Sequence, residues 1–232
     1  MSGIPATPSQ LGVRPSPELV SRLLVGAFGW MFAGLLITAG VAALVSTSQQ
    51  LLNAVESFWF LLLIGQVVLA IAIQAAINRL SPTASLGLFF VYAASMGLTI
   101  GLIVTFYTGE SVALAFFSAA AMFGAAALYG RATHRDLSSL GGLLFMGLIG
   151  LIVASFVNIL FQSSQVAWII SIIGVGLFTA LTAYDVQKIT RGDYAAFANS
   201  YERASILAAL HLYLDFINLF LFLLRIFGNS RN

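Results

Sequence analysis

The chain contains no cysteine. Disulfides, thiol catalysis and thiolate-held metals are therefore excluded. Charge is nearly as scarce. Only 8% of the 232 residues are Asp, Glu, Lys or Arg, against about 25% in a soluble domain. The formal net charge is +2, and its basic residues are scattered, so no patch forms to hold nucleic acid. The single lysine, Lys188, lies outside the apolar runs, which rules out a retinal Schiff base within a membrane span. Glycine-rich phosphate loops and zinc-ligand clusters are also missing. Four of the five prolines fall in the first 17 residues, and the fifth is Pro82 in a short polar join. No span carries a proline kink, so bending is left to glycine, as at Gly97, Gly101, Gly141, Gly142, Gly147, Gly150, Gly174 and Gly176. The commoner use of such glycines is close helix packing.

What is present is apolar: 60% of the chain is hydrophobic. A helix crosses the hydrocarbon core with about 20 apolar residues. Seven segments meet or approach that length: Leu23–Val45, Phe58–Ile77, Ala84–Phe106, Val112–Leu128, Leu140–Phe161, Val166–Asp185 and Ala204–Phe227. The pattern predicts an all-α polytopic membrane protein, one seven-helix domain over residues 22–228. Residues 1–21 lack the ordered regions of a signal peptide and are expected to be a disordered cytoplasmic tail. Residues 229–232 form a short C-terminal tail. Trp59 and Trp168, near span ends, suit interface anchors, whereas Trp30 falls within a span.

Orientation follows from the basic residues. A cytoplasmic N-terminus puts Arg14, Arg22, Arg79, Arg131, Arg135, Lys188, Arg191 and Arg203 inside, leaving Arg225 and Arg231 outside. On the outer side Arg225 stands level with Glu56 and Glu110, candidates for an exposed ion pair.

Two acids break the apolar runs. Asp215 lies about 11 residues into the last span, about 16 Å at helical rise and so near the midplane. A carboxylate there costs roughly 2.5–3.5 kcal/mol on the lenient insertion scale, and it either marks an ion or proton pathway or only hydrogen-bonds to a neighbouring helix. Asp185 sits at the inner end of the sixth span, where it either joins that pathway or simply reaches interfacial water. The sixth and seventh spans run antiparallel, so both acids fall in the cytoplasmic half. If they meet, they share one proton and titrate as a pair. Holding the proton, they bind each other; losing it, they repel. His211, four residues before Asp215 on the same helix face, either shares that proton or bonds elsewhere as a neutral core histidine. Arg79, at the inner end of the second span, either snorkels to phosphates or pairs with Asp185. Two carboxylates with carbonyls and water make only a weak, transient Ca²⁺ site, suited to passage and not to storage.

Leu177-Phe-Thr-Ala-Leu-Thr-Ala-Tyr-Asp-Val-Gln-Lys-Ile189 and Leu212-Tyr-Leu-Asp-Phe-Ile-Asn-Leu-Phe-Leu-Phe-Leu-Leu-Arg-Ile-Phe-Gly228 resemble the last two spans of the Bax-inhibitor family, also called the transmembrane BAX-inhibitor-motif family. The resemblance covers the chain after the tail, Asn78-Arg-Leu-Ser-Pro82 included, and has the look of a bacterial member. It implies a seven-helix bundle with the last helix central, in a bacterial inner membrane. It also implies a pH-sensitive calcium leak, with Asp185 and Asp215 as the sensing pair, Arg79 as the partner of Asp185 and no cofactor. An association with a membrane-bound AAA protease is implied as well. Three features depart from the family pattern: a long connection from Val186 to Arg203, an uncharged interior of span two, and His211.

An intramembrane aspartyl protease would also need two acids sharing a proton. However, Leu212-Tyr-Leu-Asp215 lacks the Gly-x-Gly-Asp motif, and no Pro-Ala-Leu motif occurs. No enzymatic activity is expected. The alternative to a leak is a non-conducting modulator or partner of the membrane AAA protease, with the tail and the Val186–Arg203 connection as contact surfaces.

Overall fold

The computed structural model describes residues 16–198 and 200–229. Most of the expected N-terminal tail, with Arg14, and Arg231 near the other end lie outside the described residues. Among those described, eight α-helices run α1 Pro17–Thr47, α2 Gln49–Ala76, α3 Pro82–Val104, α4 Gly109–Ala132, α5 Gly141–Phe161, α6 Ser164–Thr190, α7 Asp193–Ala198 and α8 Tyr201–Phe227. All but the six-residue α7 are long and apolar enough to cross a bilayer. The all-helical, seven-span architecture expected from the sequence is therefore present.

Local chemistry sets the helix ends. Ser16, Ser48, Ser81 and Thr108 each accept a hydrogen bond from a first-turn N–H of the helix that follows. These caps satisfy donors that no preceding turn can serve. Pro82 occupies the start of α3, where its missing N–H costs nothing. Gly192, at φ 74°, turns the chain out of α6, and its N–H bonds the Ile189 carbonyl at 3.0 Å.

The helices outrun the apolar segments. Residues 17–21 of the expected tail already belong to α1. α2 begins nine residues ahead of Phe58, and Phe58 itself departs from helical geometry (φ −126°, ψ 19°). The helix therefore bends where the apolar run starts, without proline or glycine, contrary to the expectation that glycine alone would supply bends. The expected long connection from Val186 to Arg203 is mostly helical: α6 continues to Thr190 and α7 fills much of the remainder.

The chain divides into two units. The first comprises the described part of residues 1–107 together with 188–213. In it α1 and α3 touch backbone to side chain. A Cβ added at Gly97 would lie 2.6 Å from Val41 Cβ, and one at Gly101 would lie 2.7 Å from Val45 Cβ. These glycines are packing glycines, because a methyl group would wedge the helices apart. α1 runs alongside α8: the Tyr201 hydroxyl bonds the Arg22 carbonyl, Gly26 faces Ser205 and Thr38 meets Tyr213. Residue numbers rise together on both helices, so they are parallel, as the first and seventh of seven spans must be.

The second unit comprises residues 108–187 and the described part of 214–230. Gly130 lies directly against the Ala183 carbonyl, and Gly174 accommodates the Phe222 ring. Phe216 packs edge-on to Phe116 and Phe123 with centroids 5.7 and 5.6 Å away, and Phe178 stacks on Phe222 at 5.9 Å. Gly142, Gly150 and Gly176 face open space, so the packing account does not extend to them.

Burial separates the last helix from the rest. Within its most apolar window 72% of α8 is buried, whereas the other six spans range from 11% to 39%. The exposed faces of those six are dominated by Leu, Ile, Val and Phe, as a lipid-facing surface requires.

Candidate functional site

α8 and α6 carry the two acids into the interior. Asp215 stands 14 residues into the 27-residue α8, midway along it, and is 4% exposed. Asp185 stands five residues before the end of α6 and is 5% exposed. Both belong to the second unit, and each engages a polar or charged neighbour. Asp215 is midway along its helix, as the apolar run suggested. Asp185, placed at the end of its span by the apolar run, proves to be inside a continuous helix, because α6 persists for more than one further turn.

Each acid has a buried polar residue two positions away that bonds another helix or connection. Two residues after Asp185, the Gln187 side chain joins the backbone between α4 and α5. Its Oε1 accepts from Leu137 N–H and its Nε2 donates to the Arg135 carbonyl, both at 2.8 Å. Only an amide offers donor and acceptor in that arrangement. Leu137, Ala126 and Ala183 form a buried apolar cluster beneath it, with Tyr184 packed alongside. Two residues before Asp215, Tyr213 is fully buried, and its hydroxyl lies 2.6 Å from Thr38 Oγ1. Reasoning from sequence missed Thr38, Tyr213 and Gln187. Their only signal was being polar within or beside an apolar run, which Ser and Thr share at many positions.

The remaining candidates each have neighbours of their own. His211 is half-buried in the first unit. Its ring meets Tyr194 of α7 edge-on at 5.5 Å, and Lys188 Nζ lies 4.7 Å from the centre of the same Tyr194 ring. Arg79 is exposed in the turn after α2. Its neighbours tie that turn to the α7–α8 segment: Asn78 Nδ2 donates to the Phe197 carbonyl at 2.9 Å, and Arg203 Nε donates to the Leu80 carbonyl at 2.9 Å. Glu56, Glu110 and Arg225 are all exposed. Glu110 and Arg225 occupy helix ends that adjoin in the second unit, where Asn229 N–H donates to Ser111 Oγ at 3.0 Å and Thr108 N–H to the Asn229 carbonyl at 3.3 Å. Among the described residues no three His, Asp or Glu side chains gather to hold a metal ion.

The profile of a protein family described as "Inhibitor of apoptosis-promoting Bax1" matches residues 20–232. The chain belongs to this Bax-inhibitor family. Inner membrane protein YbhL of Escherichia coli K12 is 46% identical over 210 residues, covering 88% of this chain and 90% of that protein. An uncharacterized protein of Borreliella burgdorferi is 42% identical over 219 residues, covering 91% and 94% respectively. One of Deinococcus radiodurans is 40% identical over 216 residues, covering 93% of each. As a Bax-inhibitor family member the chain is an integral membrane protein, and the family resemblance drawn from its last two spans is upheld over nearly its whole length.

Proposed function

We propose that this chain is a pH-sensitive calcium leak of a bacterial inner membrane, oriented with its N-terminus in the cytoplasm. The observation that carries this reading is the burial of two carboxylates, Asp185 and Asp215, inside membrane-length helices of one unit. An acid removed from water inside a membrane protein is costly and faces the protein interior or a pathway. Two such acids share a proton in preference to carrying two like charges. With the proton they attract; without it they repel and separate their helices. Ca²⁺, which favours carboxylate and carbonyl oxygen, binds weakly at such a pair as cargo. The inner-membrane setting is supported by the name of the Escherichia coli relative.

The test is Ca²⁺ influx into liposomes containing the purified chain, from about pH 6 to pH 8, for wild type, Asp185→Asn and Asp215→Asn. A pH-dependent flux altered by both substitutions supports the reading. No flux above empty liposomes at any pH removes it and leaves the non-conducting partner role, with a membrane AAA protease as the partner to be tested by co-purification.

A further inference from the structure

Thr38 Oγ1 sits where three helices meet and makes three short contacts: 2.6 Å to Tyr213 Oη on α8, 2.8 Å to the Ala93 carbonyl on α3 and 3.0 Å to the Gly34 carbonyl on its own α1. Thr38 is 3% exposed and Tyr213 fully buried. The directions of these bonds follow from counting hydrogens. Carbonyls only accept, and Thr38 has one hydroxyl hydrogen, so that hydrogen points to the carbonyls. Tyr213 must then be the donor to Thr38 Oγ1. The relay Tyr213 to Thr38 to Ala93 thus runs from α8 through α1 into α3.

Packing fixes the phenol as firmly as the bonds do. Phe89 and Tyr92 meet the Tyr213 ring edge-on at 5.6 and 6.0 Å, with interplanar angles of 90° and 78°. Gly34 lies under the same ring, where a Cβ would come within 3.4 Å of it. A tyrosine clamped on its faces and bonded at its tip cannot swing, so it sets the rotation of the helix that bears it.

Asp215 lies two residues further along the same unbroken helix, about 200° around its axis. A turn of about 20° carries a carboxylate roughly 6 Å from the axis through about 2 Å, which is more than a functional group tolerates. We infer that Thr38 and Tyr213 are positioning residues that fix the azimuth of Asp215 by pinning the rotation of α8 against α1 and α3. The inference rests on the proposed role of Asp215 in the ion pathway.

The experiment compares Ca²⁺ flux in proteoliposomes for wild type, Thr38→Val, Tyr213→Phe and Thr38→Ser over a range of Ca²⁺ concentrations, with Mg²⁺ as competitor. Thr38→Val and Tyr213→Phe each remove one hydroxyl at nearly constant volume, so either suffices if the other does not fold. A loss of folded molecules lowers the maximal rate alone. A displaced Asp215 instead changes the half-saturating Ca²⁺ concentration by about fivefold and relaxes the preference over Mg²⁺. Thr38→Ser, which keeps the hydroxyl, restores both. Unchanged half-saturation and selectivity in both hydroxyl-deleted variants, with wild-type flux intact, overturns the inference and leaves the leak reading standing. Absence of flux in wild type overturns the leak reading and, with it, the role assigned to the pin.

Discussion

Gln187 and Leu137 are joined across 50 residues of sequence by a 2.8 Å bond from the Leu137 N–H to the Gln187 side-chain oxygen, and the same amide donates to the Arg135 carbonyl. The bond closes the α4–α5 connection onto α6 two residues from Asp185. Replacing Gln187 with Met keeps the length and removes both partners. A buried backbone group left without a partner costs about 1–3 kcal/mol. Gln187→Met should lower the melting temperature in detergent and raise the amide hydrogen-exchange rate at Leu137, while exchange in α1 stays as it was.

The proposed leak predicts the sign of its own pH response. In the proposed mechanism the pair holds its proton at low pH and loses it as pH rises, and only the deprotonated pair repels. Ca²⁺ flux should therefore increase from about pH 6 to pH 8 in wild type. An amide at either position cannot take part in like-charge repulsion. Asp185→Asn and Asp215→Asn should each flatten the profile, and the double variant should resemble the singles. A stopped-flow measurement with a Ca²⁺ dye enclosed in the liposomes reads this directly. A profile that stays steep in both single variants would assign the pH response to other groups.

Two glycines make a matched pair for stability. A Cβ at Gly130 would collide with the Ala183 backbone, which has no flexible end to yield, whereas nothing lies within 4 Å of one at Gly142. Gly130→Ala should destabilise by about 1–3 kcal/mol, the usual range for overpacking. Gly142→Ala should be neutral or stabilising by up to about 1 kcal/mol, since it removes backbone freedom within a helix. Thermal unfolding of the two variants in one detergent gives the comparison.

The absence of cysteine allows a clean cross-link. The Cβ built at Gly26 lies 3.0 Å from Ser205 Cβ, shorter than the roughly 3.5–4.5 Å of a disulfide, so the two helices must ease apart by about half an ångström for the bond to close. The double substitution Gly26→Cys with Ser205→Cys should form a bond under mild oxidant, detected as loss of reaction with a thiol-reactive polymer. Failure to form it would mean that α1 and α8 do not lie side by side as described.

The seven spans were legible because a bilayer leaves little choice: backbone groups in hydrocarbon demand long helices, and long helices demand apolar residues. Asp185 and Asp215 were legible for the converse reason, each being a charge among apolar neighbours. The helix ends were not. Gln49–Ser57 and Val186–Thr190 are helical beyond the apolar runs, held by a serine cap in one case and the Gln187 contacts in the other, and hydropathy is blind to both. The bend at Phe58 carries no proline or glycine to announce it. The bond between Thr38 and Tyr213 spans 175 residues, and neither residue differs in type from many others in the spans. Pattern along a chain reports what each segment needs from lipid, but not which two segments find each other.

The heavy burial of α8 also bears on how the protein is made. Of the seven spans it is the last to leave the ribosome, and it bears Asp215, Tyr213, Asn218 and His211. The earlier spans can rest in lipid on their apolar faces. α8 is less suited to do so, because Tyr213 meets Thr38 of α1 and His211 meets Tyr194 of α7, both made before it. Until α8 arrives, Thr38 and Tyr194 wait without the side chains they later meet.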